Sequence, residues 1–385
     1  MTGEFAIKNF AHLREVTIPL RDLVVLVGPQ ASGKSLVLQL FKLILDRTRI
    51  VRVLRDQLGF SWDSVAEFAS LYFGAGFEGS WKASTEISIG SQIFTLQKVS
   101  ESRARDGEEA VFYVPAHRTL TIAEGWPQLF SRSQRDVPYV ARRFAEQLLE
   151  LMNTSLSDTA KLFPAQRRLK EAFRKCINDA VFHGGTLRLD TSEMRRQFVI
   201  DYGDQRFPFM AWTAGQREFI PLLIGLYHLL TSGKVTKRPD IEWVVIEEPE
   251  MGLHPQAIIA VMSLMLELLH RGYKVALSTH SPVVLDIVWA LKRLRSNPNG
   301  NSYLCDIFDM KHTKDVLETM TSALTKECAV INLRQTKDGK VEYINISELN
   351  PGSPNNAEAG WGGLTGFSGH VADIVTKAVN SQRAD

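Results

Sequence analysis

The chain has 385 residues, 44% of them hydrophobic and 23% charged, and a formal net charge of +2. These values exclude a globally disordered chain and leave room for one large α/β unit with insertions, or for two or three domains. A near-neutral total makes no demand for nucleic acid or an anionic membrane, although a local patch can hide inside it.

The N-terminus, MTGEFAIKNFAHLREV, has no basic start leading into an apolar core, so it does not read as a signal peptide. No run of about 18 apolar residues follows anywhere, so no bilayer span is expected. Cys176, Cys305 and Cys328 lack any paired spacing, which fits free thiols in a reducing cytosol. The expectation is a cytoplasmic protein.

Residues 23–27, LVVLV, form a short β-branched run suited to a fully buried strand. Directly after it comes Gly28-Pro29-Gln30-Ala31-Ser32-Gly33-Lys34-Ser35, the pattern G-x-x-x-x-G-K-[ST]. The glycines let the backbone curl so that its N–H groups face phosphates. Lys34 reaches the β- and γ-phosphates and Ser35 offers a hydroxyl to Mg²⁺. The segment LVLQLFKLIL then reads as a helix with its positive end at that loop. The expected ligand is a nucleotide with Mg²⁺, which the resemblance given below makes ATP.

Residues 85–98, TEISIGSQIFTLQK, alternate like a hairpin turning at Gly90-Ser91. A strand VFYVPA follows, and then the segments 137–152 and 158–180 read as two helices, with Pro164 kinking or restarting the second. From Ser131 to Lys175 there are ten Lys and Arg against five Asp and Glu. Arg142, Arg143, Arg167, Arg168, Lys170, Arg174 and Lys175 either form a basic face for sequence-tolerant phosphate-backbone contact with DNA or RNA, or are a solvated helical face.

Thr213-Ala214-Gly215-Gln216-Arg217-Glu218 opens the apolar helix FIPLLIGLYHLL with a Thr cap. Residues 241–255, IEWVVIEEPEMGLHP, contain a buried strand ending in Glu247-Glu248-Pro249-Glu250. Adjacent carboxylates at the end of an apolar strand call for a cation, which a Mg²⁺-nucleotide supplies. Because side chains alternate along a strand, one can hold the metal shell while the other orients and deprotonates water. Residues 274–282, KVALSTHSP, give a third buried strand, separated from the last by the helix AIIAVMSLMLELLH, as in a βαβ unit. Polar clusters after three parallel strands converge on one sheet edge, where His280 can donate to a γ-phosphate oxygen. Further on, AVINLRQTKDGKVEYINISEL reads as a hairpin turning at Asp338-Gly339, followed by a loop-rich stretch and the helix HVADIVTKAV.

Taken together, GPQASGKS, TAGQ, VVIEEPE, LHP and STH resemble, in that order, the soluble ABC-type ATPases: SMC and RecF heads and the OLD-like ATPases. EEPE and THSP are most similar to the OLD-like and phage-defence members. The resemblance implies an α/β P-loop NTPase fold of the ABC-ATPase type, with a mixed sheet, an antiparallel β subdomain and a helical insert. It implies a head over 1–118 and 185–385 and an insert, lobe II, over 119–184. It assigns Ser35 and Glu247 to the Mg²⁺ shell, Glu248 to the catalytic base and His280 to the γ-phosphate sensor. Thr213, Ala214, Gly215 and Gln216 become the signature that meets ATP on a second subunit, and His254 and Pro255 lie in the loop that crosses the dimer. Glu247 stands where Asp is usual, Thr213 for Ser, Ala214 for Gly and Gln30 for Asn. Gln97 or the pair His117-Arg118 are the candidates for the Q-loop position. No Glu and D-x-D set of a Toprim nuclease domain is found.

Three functions follow. The first is a homodimeric or higher-order ATPase that controls a separate effector, a nuclease or toxin, in phage defence or DNA metabolism, with non-specific DNA as a further partner. The second is an ATP-loaded scaffold that assembles or restrains such an effector with little turnover. Transport would need membrane subunits, and the strand ends resemble the soluble branch instead.

Overall fold

The computed structural model describes residues 3–102, 109–131, 133–157, 160–165, 168–192, 196–230 and 237–382. Among these, the main sheet has ten strands. Across it they run Gln92–Phe94, Trp81–Ile89, Glu4–Phe10, Leu13–Pro19, Val341–Asn345, Cys328–Gln335, Leu23–Val27, Lys274–Ser278, Trp243–Glu247 and Val111–Val114. From Cys328–Gln335 to Val111–Val114 every neighbouring pair is parallel, and the hairpins at 10–13, 89–92 and 335–341 make the other half largely antiparallel. The fold is thus α/β, with a parallel half and an antiparallel subdomain.

Period-two side-chain alternation divides the parallel strands between two cores. Val24, Leu26, Trp243, Val245 and Tyr113 pack with Val37, Leu40 and Phe41 of the helix Lys34–Leu45. Leu23, Val25, Phe112, Val244, Ile246 and Val275 face the other way, toward the helices Ala214–Tyr227, Pro255–His270 and Pro282–Leu294. Strands buried on both faces need near-continuous apolar runs, as LVVLV and WVVI are. Each fully buried Leu or Val contributes about 1.5–3 kcal/mol relative to exposure.

The insert departs from the two-helix expectation. Tyr139–Asn153 is a helix, but Lys161–Phe163 is a strand and the second helix starts only at Glu171, running to Ile177 and on as a π-helical turn to Phe182. Leu162 and Phe163 are fully buried, and their strand pairs beside Leu187 and Arg188. That strand belongs to a four-stranded antiparallel sheet completed by Thr186–Asp190, Gln197–Tyr202 and Gln205–Pro208, which runs across residue 184. No helix among the described residues is long and apolar enough to cross a membrane.

Candidate nucleotide site and its relatives

The phosphate loop joins strand Leu23–Val27 to helix Lys34–Leu45. Gly28 sits at φ +145°, and a Cβ there would lie 2.2 Å from the Leu333 carbonyl oxygen, so only glycine fits the turn. Lys34 Nζ donates to the carbonyls of Gly28 and Pro29, both at 2.9 Å, and holds the loop closed on itself. Burial pulls the Lys34 ammonium below its usual range, against the opposing pull of Glu248 and Glu250.

Trp243, Val245 and Glu247 point to the same face as the phosphate-loop helix, and this alternation puts the Glu247 carboxylate on Ser35. Ser35 Oγ donates to Glu247 Oε2 at 2.8 Å, and the Tyr113 hydroxyl donates to Oε1. Glu247 is only 4% exposed, and burial raises its carboxyl above the usual range despite those bonds.

These residues fit a Mg²⁺-nucleotide. Ser32 Oγ is buried without a protein partner, and Glu247 is a buried carboxylate whose nearest groups are neutral hydroxyls. Ser35 and Glu247 would hold the metal, which when bound neutralises phosphate charge.

Glu248, the next residue, adopts φ +42°, a left-handed conformation rare outside glycine. Its N–H donates to the Ser278 carbonyl at 3.0 Å, which ties it to the neighbouring strand end. Its Oε1 lies 3.6 Å from His280 Nε2, both side chains being 30% exposed. Burial and then Lys34 lower the His280 pKa, so the ring is neutral at pH 7 and keeps one N–H to donate. Glu250 accepts from Thr279 Oγ1 at 2.8 Å and from the His280 backbone N–H at 2.5 Å, which fixes the segment carrying His280.

The signature segment caps the helix Ala214–Tyr227. Thr213 Oγ1 accepts from the Gln216 N–H and Gln216 Oε1 accepts from the Thr213 N–H, each at 3.2 Å. Gln216 Nε2 donates to the Val181 carbonyl and to the Tyr202 hydroxyl. The Gln216 side chain is therefore committed to the protein, and Ala214 and Gly215 carry the positive helix end. A Cβ on Gly215 would lie 2.9 Å from the Gly252 carbonyl oxygen. A cavity of about 680 Å³ opens here, walled by Tyr202, Phe207, Trp212, Gly215, Leu253 and His254 and by none of residues 28–35. His254 caps the next helix, its Nδ1 accepting from the Gln256 N–H at 3.4 Å, with Pro255 as the first helical residue.

Among the described residues the basic face is not assembled. Arg142 is 4% exposed and donates to the carbonyls of Ser131 and Val137. Arg143 pairs with Glu109 and Glu146, Arg168 donates to the carbonyls of Tyr227 and Leu230, and Lys170 pairs with Glu267. Arg174 donates to the Leu169 carbonyl, and of the described ones only Lys175, bonded to Asp179, is largely exposed. Arg167 lies outside the described residues. Gln97 is exposed and bonded to Glu101, whereas Arg118 is fully buried behind the end of strand Trp243–Glu247. Tyr113 and Glu250 are the groups that motif reading left without a role, and Arg118 enters it only as a Q-loop candidate. Their partners lie across strands or loops, so only the alternation of VFYV and the fourth letter of EEPE pointed to them.

Residues 23–286, well over half of the chain, match the family described as AAA domain, putative AbiEii toxin, Type IV TA system. The OLD nuclease of Thermus scotoductus is 23% identical over 332 residues, which cover 74% of this chain and 60% of that protein. The chain thus spans less than two thirds of that relative's length. Among solved structures, an SMC head bound to the C-winged helix domain of ScpA has a TM-score of 0.43 at 10% identity, covering 89% of this chain and 97% of that one. The SMC head domain from Thermotoga maritima has a TM-score of 0.32 at 13% identity, with 74% and 91% covered. The phosphate loop between a buried parallel strand and a helix, the carboxylate on Ser35 and the family match lead to one assignment. The chain belongs to the AAA-domain family described as putative AbiEii toxin, Type IV TA system.

Proposed function

We propose that the chain binds and hydrolyses Mg²⁺-ATP, that two copies close head-to-tail around the nucleotide, and that this cycle controls a separate effector in phage defence or DNA metabolism. The observation that carries the reading is the order of groups along one sheet edge. Ser35 and Glu247 are bonded at 2.8 Å, and Glu248 and His280 stand 3.6 Å apart at the next positions. In this reading Lys34 and the loop N–H groups hold the phosphates, and Ser35 and Glu247 hold the metal. Glu248 takes the proton from the attacking water, and neutral His280 donates to the γ-phosphate. Gly215 and its neighbours present a helix N-terminus to the phosphate of the second copy.

The test is phosphate release from Mg²⁺-ATP. The wild-type chain turns over and loses activity on chelation. Lys34→Ala loses both binding and turnover, and Glu248→Gln binds ATP but hydrolyses it at least about 100-fold more slowly. Unchanged turnover in Glu248→Gln contradicts the assignment of the base.

A further inference from the structure

Arg118 has no part in the reading above, yet among the described residues it is the largest charged side chain that is fully buried. It follows the strand Val111–Val114 at the edge of the parallel half. Its guanidinium binds backbone carbonyls from two distant segments. Nη1 donates to the Glu247 carbonyl at 3.0 Å and Nη2 to the Glu248 carbonyl at 3.1 Å. Nε donates to the Glu218 carbonyl at 2.9 Å, inside the signature helix. The Glu218 carboxylate lies 3.5 Å from Nε, and Thr119 Oγ1 donates to it at 2.6 Å. Pro221 removes a helical N–H from this part of the helix, and the Arg118–Glu218 contact braces it from the side.

We propose that Arg118 is a positioning residue that makes the start of the signature helix and the backbone of Glu247–Glu248 move as one piece. The inference rests on the ATPase reading above. A planar fork with donors at fixed angles links three carbonyls rigidly, which a flexible ammonium cannot do. Two further contacts close the same joint. Gly215 stacks against the Gly252 carbonyl in the loop after Glu250, and Glu248 is held in its left-handed conformation by the Ser278 carbonyl on one side and Arg118 on the other. A non-glycine residue persists at positive φ only where its surroundings over-determine it. The group that meets a second copy's phosphate and the group that activates water on this copy's nucleotide are therefore braced by one side chain. Docking of the second copy at Thr213–Gly215 shifts Glu248 through Arg118.

The experiment compares the wild-type chain with Arg118→Lys, which keeps the charge and loses the fork. Three quantities are read: affinity for a fluorescent ATP analogue with Mg²⁺, steady-state turnover, and amide hydrogen exchange over residues 214–222 with and without Mg²⁺-ATP. The variant binds the analogue within about threefold of wild type, its kcat falls at least about tenfold, and the nucleotide-dependent change in exchange seen in wild type disappears. Wild-type kcat and an intact exchange response in the variant overturn the proposal. So does a parallel loss of affinity and kcat, which marks a merely structural role. If Arg118→Lys does not fold, Glu218→Gln with Thr119→Val loosens the same joint, and an unchanged exchange response there overturns it equally. A wild-type chain that fails to bind the analogue refutes the ATPase reading instead, which separates the two failures.

Discussion

Lys42 lies in the last turn of the phosphate-loop helix and is fully buried. Its ammonium binds Asp46 at 2.9 Å, Glu109 at 2.6 Å and the Val111 carbonyl at 2.7 Å. Replacing Lys42 with Met keeps the volume and strands two buried carboxylates. Breaking a buried ion pair from one side costs about 3–5 kcal/mol. Asp46 still accepts from the N–H groups of Ala110 and Val111, and Glu109 from Arg143 and Gln147, so the lower end applies. The expected loss is about 3 kcal/mol. With an unfolding entropy of about 0.8 kcal/mol/K for a chain of this length, that is a drop in Tm of about 4 °C. Urea unfolding and calorimetry read it, and adding Glu109→Gln to the Met variant recovers part of the loss.

The two carboxylates share one ammonium and shift in opposite directions. Burial pushes the Asp46 carboxyl up against the pull of Lys42. For Glu109 burial is outweighed by Lys42 and Arg143, which hold it at about 2. A depressed carboxyl adds stability that is present above its unfolded value near 4.5 and lost as pH falls toward 2. The difference between wild type and the Met variant therefore shrinks in that acid range. A loss under about 1 kcal/mol at pH 7.5, or no recovery in the double variant, refutes the reasoning.

Two other outcomes follow from close contacts. Gly215→Ala forces a methyl against the Gly252 carbonyl, which must shift by a few tenths of an ångström. The expected result is retained binding of Mg²⁺-ATP with turnover reduced at least about tenfold, and equal turnover refutes the role given to that helix start. His228 stacks on Phe112, and burial followed by Arg238 lowers its pKa to about 4. A histidine whose folded value lies below its unfolded 6.5 destabilises the fold as pH falls between the two, by about 2 kcal/mol from pH 7.5 to 5.0. Urea titrations at both pH values check it, and His228→Gln removes that component.

The parallel half was legible because its strands carry their own signal. LVVLV, WVVI and KVALS are short β-branched runs, and each ends in the polar groups that its neighbours need. The alternation of Trp243, Val245 and Glu247 even places the carboxylate on the phosphate-loop side. The segment 158–170 was not legible. Leu162, Phe163, Ala165 and Leu169 keep a helix-like spacing, but Leu162 and Phe163 extend a sheet built from residues 186–208, a pairing that local pattern does not contain. Charge misled for the same reason. Arg143 and Lys170 look like free cations until Glu109 and Glu267 are brought to them from elsewhere in the chain.

The central claim is an ATP-dependent pair, and light scattering of the Glu248→Gln chain with and without Mg²⁺-ATP tests it most directly. The account predicts a particle of 43.3 kDa without nucleotide and twice that mass with it. An unchanged monomer mass at saturating Mg²⁺-ATP contradicts the nucleotide sandwich. A dimer or larger particle already present without nucleotide contradicts ATP as the agent that brings the copies together, and favours a standing scaffold that ATP reshapes.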